Sequence, residues 1–119
     1  MPGGDSAIRN AAGAEDSLIQ AVVDLEAIHP PLTPLDTLIG IAASGRTPYV
    51  ISGLAHARDV LGMFTVGVTC IRPSLMREHC ERVVECVVGP EIVTGSTRMK
   101  AGTATKLVRH FDNHLQVFA

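Results

Sequence analysis

Two short runs hold most of the side chains in this sequence that could do chemistry. Ser44-Gly45-Arg46-Thr47 puts two hydroxyls, a glycine and a guanidinium within four residues, and Gly95-Ser96-Thr97 adds two more hydroxyls. Hydroxyl and backbone N–H donors around a glycine suit an anion, a phosphate monoester above all. Glu15, in Gly13-Ala14-Glu15-Asp16, adds a carboxylate. Each feature also has a plainer reading. The first run could be an ordinary strand-to-helix turn, Ser96 and Thr97 could cap a helix, and Glu15 could be a solvated carboxylate. The five histidines show no metal-ligand spacing with carboxylates or cysteines, so neither a metal nor a cofactor is expected.

The elements that must position these residues can be read from patterning. The apolar run Leu38 to Ala42 reads as a buried parallel strand. Thr47 suits a helix N-cap, its hydroxyl accepting from an orphan N–H of the first turn, and Pro48 suits the first helical position. A helix then carries Ile51, Leu54, Ala55, Arg58 and Leu61, with Gly62 as its stop. Phe64 to Cys70 alternates as a strand, Ser74 caps a short helix ending near Cys80, and Val83 to Val88 is a third apolar run. Met99, Thr103, Leu107 and Phe111 fall at i, i+4 spacing on a final helix. Upstream, Asp5 or Ser6 caps a short helix through Ile8 to Ala12, and Leu18 to Ala27 forms a second. Strands alternating with helices predict an α/β fold with a parallel sheet, both polar turns lying at its carboxyl edge.

A chain of 119 residues, 46% hydrophobic and 18% charged, is expected to form one globular domain. Its net charge of −2 gives no electrostatic reason to expect nucleic acid. No apolar run is long enough to span a membrane. Cys70, Cys80 and Cys86 are odd in number and widely spaced, which predicts reduced thiols and a cytoplasmic location.

Three stretches carry a resemblance. Gly-Ile-Ala-Ala-Ser-Gly-Arg-Thr-Pro-Tyr-Val (40–50) resembles the second phosphate loop of the N-acetylmuramic acid 6-phosphate etherase family. Gly-Pro-Glu-Ile-Val-Thr-Gly-Ser-Thr-Arg-Met-Lys-Ala-Gly-Thr-Ala-Thr-Lys-Leu-Val (89–108) is similar to that family's signature segment, and Gly-Ala-Glu-Asp-Ser (13–17) to its Gly-Ala-Glu-Asp block. The family shares the sugar isomerase (SIS) domain and is related to the animal glucokinase regulatory protein, a sugar-phosphate-binding inhibitor.

The resemblance implies a flavodoxin-like αβα sandwich that binds a phosphorylated amino sugar and forms a homodimer through the SIS domain. It implies a carbon–oxygen lyase that cleaves the D-lactyl ether by elimination across C2–C3, followed by water addition. Two glutamates serve this chemistry in the family, and Glu15 matches one. Ser44, Gly45, Arg46, Thr47, Ser96 and Thr97 match the phosphosugar-binding segments. The glutamate that precedes a Cys-Pro-Pro run in the family has no counterpart here, and the family's first strand-loop-helix is also absent. Ile71-Arg72-Pro73 stands where Asn-Pro-Gly is usual, and residues 109–119 diverge. Residues 1–119 are therefore expected to be a single partial SIS domain with an open sheet edge. Two alternatives stay open beside the enzyme: a non-catalytic sugar-phosphate-binding regulator and an inactive fragment.

Overall fold

The glycines of the strands decide how the layers meet. In the computed structural model, which describes residues 13–111, three parallel strands form one open sheet in the order β1-β2-β3. These are β1 (Thr37–Ile41), β2 (Phe64–Thr69) and β3 (Arg82–Glu85). The helices are α1 (Gln20–Glu26), α2 (Pro48–Asp59) and α3 (Lys100–Phe111), with single 3-10 turns at Ala14–Asp16 and Leu75–Glu78. The all-parallel sheet agrees with the α/β class read from the sequence. The expected helix through Ile8 to Ala12 and the run 112–119 lie outside the described residues.

Gly40 of β1 pairs in register with Gly67 of β2, and Gly67 pairs with Val83 of β3. Paired residues in a parallel sheet share a face. The two glycines therefore form a shallow trough. Leu54 and Met76, both fully buried, fill it beside Cys80. A β-carbon at Gly40 would lie 2.8 Å from both Leu54 Cδ1 and Val50 Cγ1, so α2 sits closer to the sheet than any side chain on β1 there would allow. The core on this face gathers Leu25, Leu38, Ala42, Leu54, Ala57, Met63, Met76 and Cys80. On the other face Ile39 and Val68 are buried, whereas Phe64 is 45% and Val84 is 40% exposed.

α1 covers α2 through small residues. Ala21 and Leu25 lie against Gly53, whose added β-carbon would stand 3.5 Å from that of Ala21. The Tyr49 hydroxyl donates to Asp24 Oδ2 at 2.8 Å one turn earlier, and His56 Nε2 lies 3.4 Å from Glu26 Oε1 one turn later. Positions 49, 53 and 56 form one helical stripe; the Tyr49 hydrogen bond and the Gly53 packing hold the pair of helices, while His56 Nε2 is buried without a hydrogen bond.

Element ends follow their residue chemistry with two differences. Pro48 opens α2 and Thr47 is its N-cap residue, but the Thr47 hydroxyl makes no capping bond. It lies 3.5 Å from Ser44 Oγ instead. α3 is present, but Ala101 is its buried residue, and Leu107 is 58% exposed. The i, i+4 row through Met99, Thr103 and Leu107 is thus the outward row, and the smaller Ala101 is what approaches the sheet, its carbonyl accepting from Cys70 Sγ. Ser74 does cap its turn, accepting from Met76 N at 3.2 Å. All three cysteines are free thiols.

The two interior glycines of this packing should respond oppositely to alanine. Gly53→Ala should be neutral or raise stability by up to about 1 kcal/mol, since the methyl meets Ala21 at ordinary contact distance and alanine favours a helix. Gly40→Ala should lower stability by about 1–3 kcal/mol, because Leu54 and Val50 must move in a filled core. Urea unfolding of the two variants checks the contrast.

Candidate functional site

An open cleft of about 370 Å³ lies at the carboxyl end of β1, lined by Glu15, Ile41, Ala42, Ala43, Ser44, Thr47, Tyr49, Val50 and Thr97. Its residues come from three separate segments. The 3-10 turn brings Glu15, the β1–α2 connection brings Ser44 and Thr47, and the run before α3 brings Thr97. Of the sequence-read site residues, Glu15, Ser44, Thr47 and Thr97 therefore share one cavity. Gly45 is buried behind the loop, Arg46 is exposed and outside the cleft lining, and Ser96 is half-buried outside it.

The loop is shaped from behind. Gly45 has φ +62°, a left-handed conformation that glycine adopts without strain. Its amide donates to the Ala42 carbonyl at 2.9 Å, closing a turn. The Ala43 carbonyl accepts from Cys70 N at 3.0 Å and from the Thr69 hydroxyl at 3.3 Å. The Gly45 carbonyl accepts from the buried Ser74 hydroxyl at 3.1 Å. A β-carbon at Gly45 would stand 2.3 Å from Ser74 Oγ and 2.7 Å from Thr69 Oγ1, so no side chain fits there. The donors of β2 and of the following loop thus occupy the loop carbonyls. Among the described residues, the amides of Ser44, Arg46 and Thr47 donate to no backbone carbonyl.

The first intrahelical bond of α2 runs from Ile51 N to the Thr47 carbonyl at 3.0 Å. The preceding amides of Tyr49 and Val50 have no partner within the helix, as at any helix start. With no side-chain cap present, these donors and the positive end of the helix dipole remain available to an anion. Two of the cations that follow β2 are engaged elsewhere. Arg72 and Arg77 both donate to Glu85, whose carboxyl they hold below the usual carboxylate range, Arg77 most strongly. Among the described residues no cluster of three or more His, Cys, Asp or Glu side chains is placed to hold a metal ion.

The Thr97 side is positioned from a distance. Glu91 accepts from Lys100 N at 3.0 Å and Ala101 N at 2.9 Å, so its carboxylate caps α3 across nine and ten residues. Ser96 Oγ instead accepts from Arg98 N at 3.3 Å, within its own turn. The sequence offers Ser96 and Thr97 as caps of this helix, but the cap comes from Glu91, and its reach is what sequence spacing does not reveal. Tyr49 is a cleft residue that sequence reasoning passed over. Its only signal was its place two residues after Thr47.

No family model matches the chain. Proteins named N-acetylmuramic acid 6-phosphate etherase do match it over most of its length. One from Escherichia coli O1:K1 is 55% identical over 109 residues, which cover 91% of this chain and 36% of the relative. The chain is a relative of the N-acetylmuramic acid 6-phosphate etherases. One from Exiguobacterium sp. (strain ATCC BAA-1283 / AT1b) is 53% identical over 109 residues, again 91% of this chain and 36% of that etherase. One from Streptomyces coelicolor is 49% identical over 106 residues, 89% of this chain and 33% of its own length. The chain thus spans about a third of the etherases it matches.

The Glu91 cap has a pH signature. Its two backbone bonds favour the ionised form and hold the carboxyl below its ordinary value of 4.5. A carboxyl lowered in the folded state stabilises above its unfolded value and loses that contribution as pH falls through the folded one. The Ala101 amide resonance should therefore shift with a midpoint below pH 4.5, and Glu91→Gln should abolish that step. NMR titration of the amide checks it.

Proposed function

We propose that this chain carries the phosphosugar cleft of an etherase-type lyase, acting on the phosphate monoester of an amino sugar that bears a D-lactyl ether. The observation that carries the reading is the convergence of Glu15, Ser44, Thr47 and Thr97 on one cleft. It lies in a chain about half identical to proteins named N-acetylmuramic acid 6-phosphate etherase. The phosphate sits at the N-terminus of α2, bound by the free loop amides and by the Ser44 and Thr47 hydroxyls. Gly45 keeps the backbone close enough for those amides to reach it. Arg46 adds long-range charge from the rim, and Ser96 supports Thr97 on the sugar side.

In this reading Glu15 exchanges the proton in the elimination. The C2–H bond breaks, its electrons form the C2–C3 double bond, and the C3–O bond to lactate breaks with a proton delivered to the departing oxygen. Water then adds across the double bond. The sequence of steps needs one group to remove a proton and one to deliver it. Glu15 is the one carboxylate lining the cleft among the described residues. That observation favours a second reading for the 119 residues taken alone, namely sugar-phosphate binding without turnover, as in a regulator.

Calorimetry with N-acetylmuramic acid 6-phosphate tests the binding, and a lactate assay separates the two readings. Ser44→Ala should weaken binding by about 1–3 kcal/mol, the scale of a lost hydrogen bond to a charged group. Glu15→Gln should leave affinity nearly unchanged, since it preserves shape and removes only the proton-exchanging group. Lactate release that Glu15→Gln reduces by about 100-fold or more supports the lyase. Binding without release supports the regulator. Wild-type chain that binds no phosphosugar contradicts both.

A further inference from the structure

The cleft has two walls: the Glu15 turn packs directly on α2, and one side chain adds a polar tie between α1 and the start of α2. Glu15 stands on a 3-10 turn that precedes α1, while Ser44 and Thr47 stand on the loop that opens α2. A series of polar contacts runs from the residue after the Glu15 turn to α2. The Ser17 hydroxyl accepts from Gln20 N, the first amide of α1, at 3.1 Å. Gln20 Nε2 donates to Asp24 Oδ1 at 2.8 Å, one turn along the same helix. Asp24 Oδ2 accepts the Tyr49 hydroxyl at 2.8 Å, which crosses from α1 to the first turn of α2. Tyr49 itself lines the cleft.

We propose that Tyr49 is a positioning residue of the cleft, its hydroxyl bond to Asp24 setting the separation between the Glu15 wall and the Ser44–Thr47 wall. The inference rests on the phosphosugar reading for its ligand but not for its geometry. A ligand held at one point, such as inorganic phosphate, needs only the loop. A phosphosugar held at both walls needs them at a fixed distance, and pre-organisation of that distance is an affinity term. Because Asp24 is already held by Gln20, the Tyr49 hydroxyl meets a carboxylate that does not have to be ordered anew. Burial and the Asp24 bond both raise the Tyr49 phenol well above its ordinary ionisation range. The hydroxyl therefore stays protonated and donating throughout the neutral range.

The chain holds one tyrosine, so its phenol absorbance reads this contact without interference. The experiment compares Tyr49→Phe, Asp24→Ala and Asp24→Asn with the wild type by three measurements. These are binding of inorganic phosphate, binding of N-acetylmuramic acid 6-phosphate, and hydrogen exchange of the Glu15 and Asp16 amides. Tyr49→Phe and Asp24→Ala should keep phosphate affinity within about two-fold. Both should lose about ten-fold or more in phosphosugar affinity, the lower end for a hydrogen bond to a charged group. Both should also speed exchange at Glu15 and Asp16 without speeding it in β2. Asp24→Asn keeps an acceptor for the hydroxyl and should retain phosphosugar affinity. Asp24→Ala should bring the phenol titration down toward that of free tyrosine. Unchanged exchange at Glu15 and Asp16 in Tyr49→Phe overturns the proposal, as does equal loss of both ligands with exchange rising throughout the sheet. A wild type that binds phosphate and phosphosugar equally well overturns the two-wall reading of function, while the exchange data still decide whether Tyr49 positions the Glu15 turn.

Discussion

The shape of the cleft depends on one hydroxyl. Ser74 donates to the Gly45 carbonyl and accepts from Met76 N, so a single buried side chain joins the β1–α2 loop to the turn that follows β2. Its position leaves no room for a β-carbon at residue 45, and the loop must therefore carry glycine there. With the Thr69 hydroxyl on the neighbouring Ala43 carbonyl, the acceptors of the loop face the protein. Backbone polarity then leaves the donors for the cleft side. The same two hydroxyls explain buried polar residues at the end of β2, where an apolar side chain would have filled the space and released the loop.

The cleft offers an anion backbone donors more than charged side chains. Arg72 and Arg77 are held by Glu85, and Arg46 is exposed outside the lining. What remains is the uncapped start of α2, where Thr47 occupies the N-cap position without using its hydroxyl as a cap. A hydroxyl that capped the helix would compete with a bound oxygen for the same amide. Its turn toward Ser44 leaves the helix amides uncapped, at a cost typical of a missing cap, about 1 kcal/mol.

Much of this architecture was legible in the sequence because its signals are local. Pro48 and Gly62 bracket α2, the alternation from Phe64 marks β2, and Ser74 stands two residues before the amide it accepts from. The unread parts are contacts between distant segments. Glu91 caps a helix that begins nine residues later, and Asp24 meets Tyr49 across twenty-five residues. No local spacing encodes either. The outward row of α3 misleads for a related reason. Methionine and leucine at helical spacing suggest a seam, yet Ala101 is the buried residue of the helix, its carbonyl accepting from Cys70 Sγ. Glu15 and Thr97 were candidates on resemblance, and the packing of the Glu15 turn and α1 on α2, with the Glu91 cap, brings them to the same cavity as Ser44.

The central claim is that one cleft joins the loop at the start of α2 to the Glu15 turn and the Thr97 run. Titration of the chain with N-acetylmuramic acid 6-phosphate, followed by amide NMR, tests it most directly. The account predicts that the resonances of Ser44, Gly45 and Thr47 move together with those of Glu15 and Thr97, along one binding curve. Shifts confined to other surfaces, or a loop that responds while Glu15 and Thr97 stay still at saturation, would contradict it.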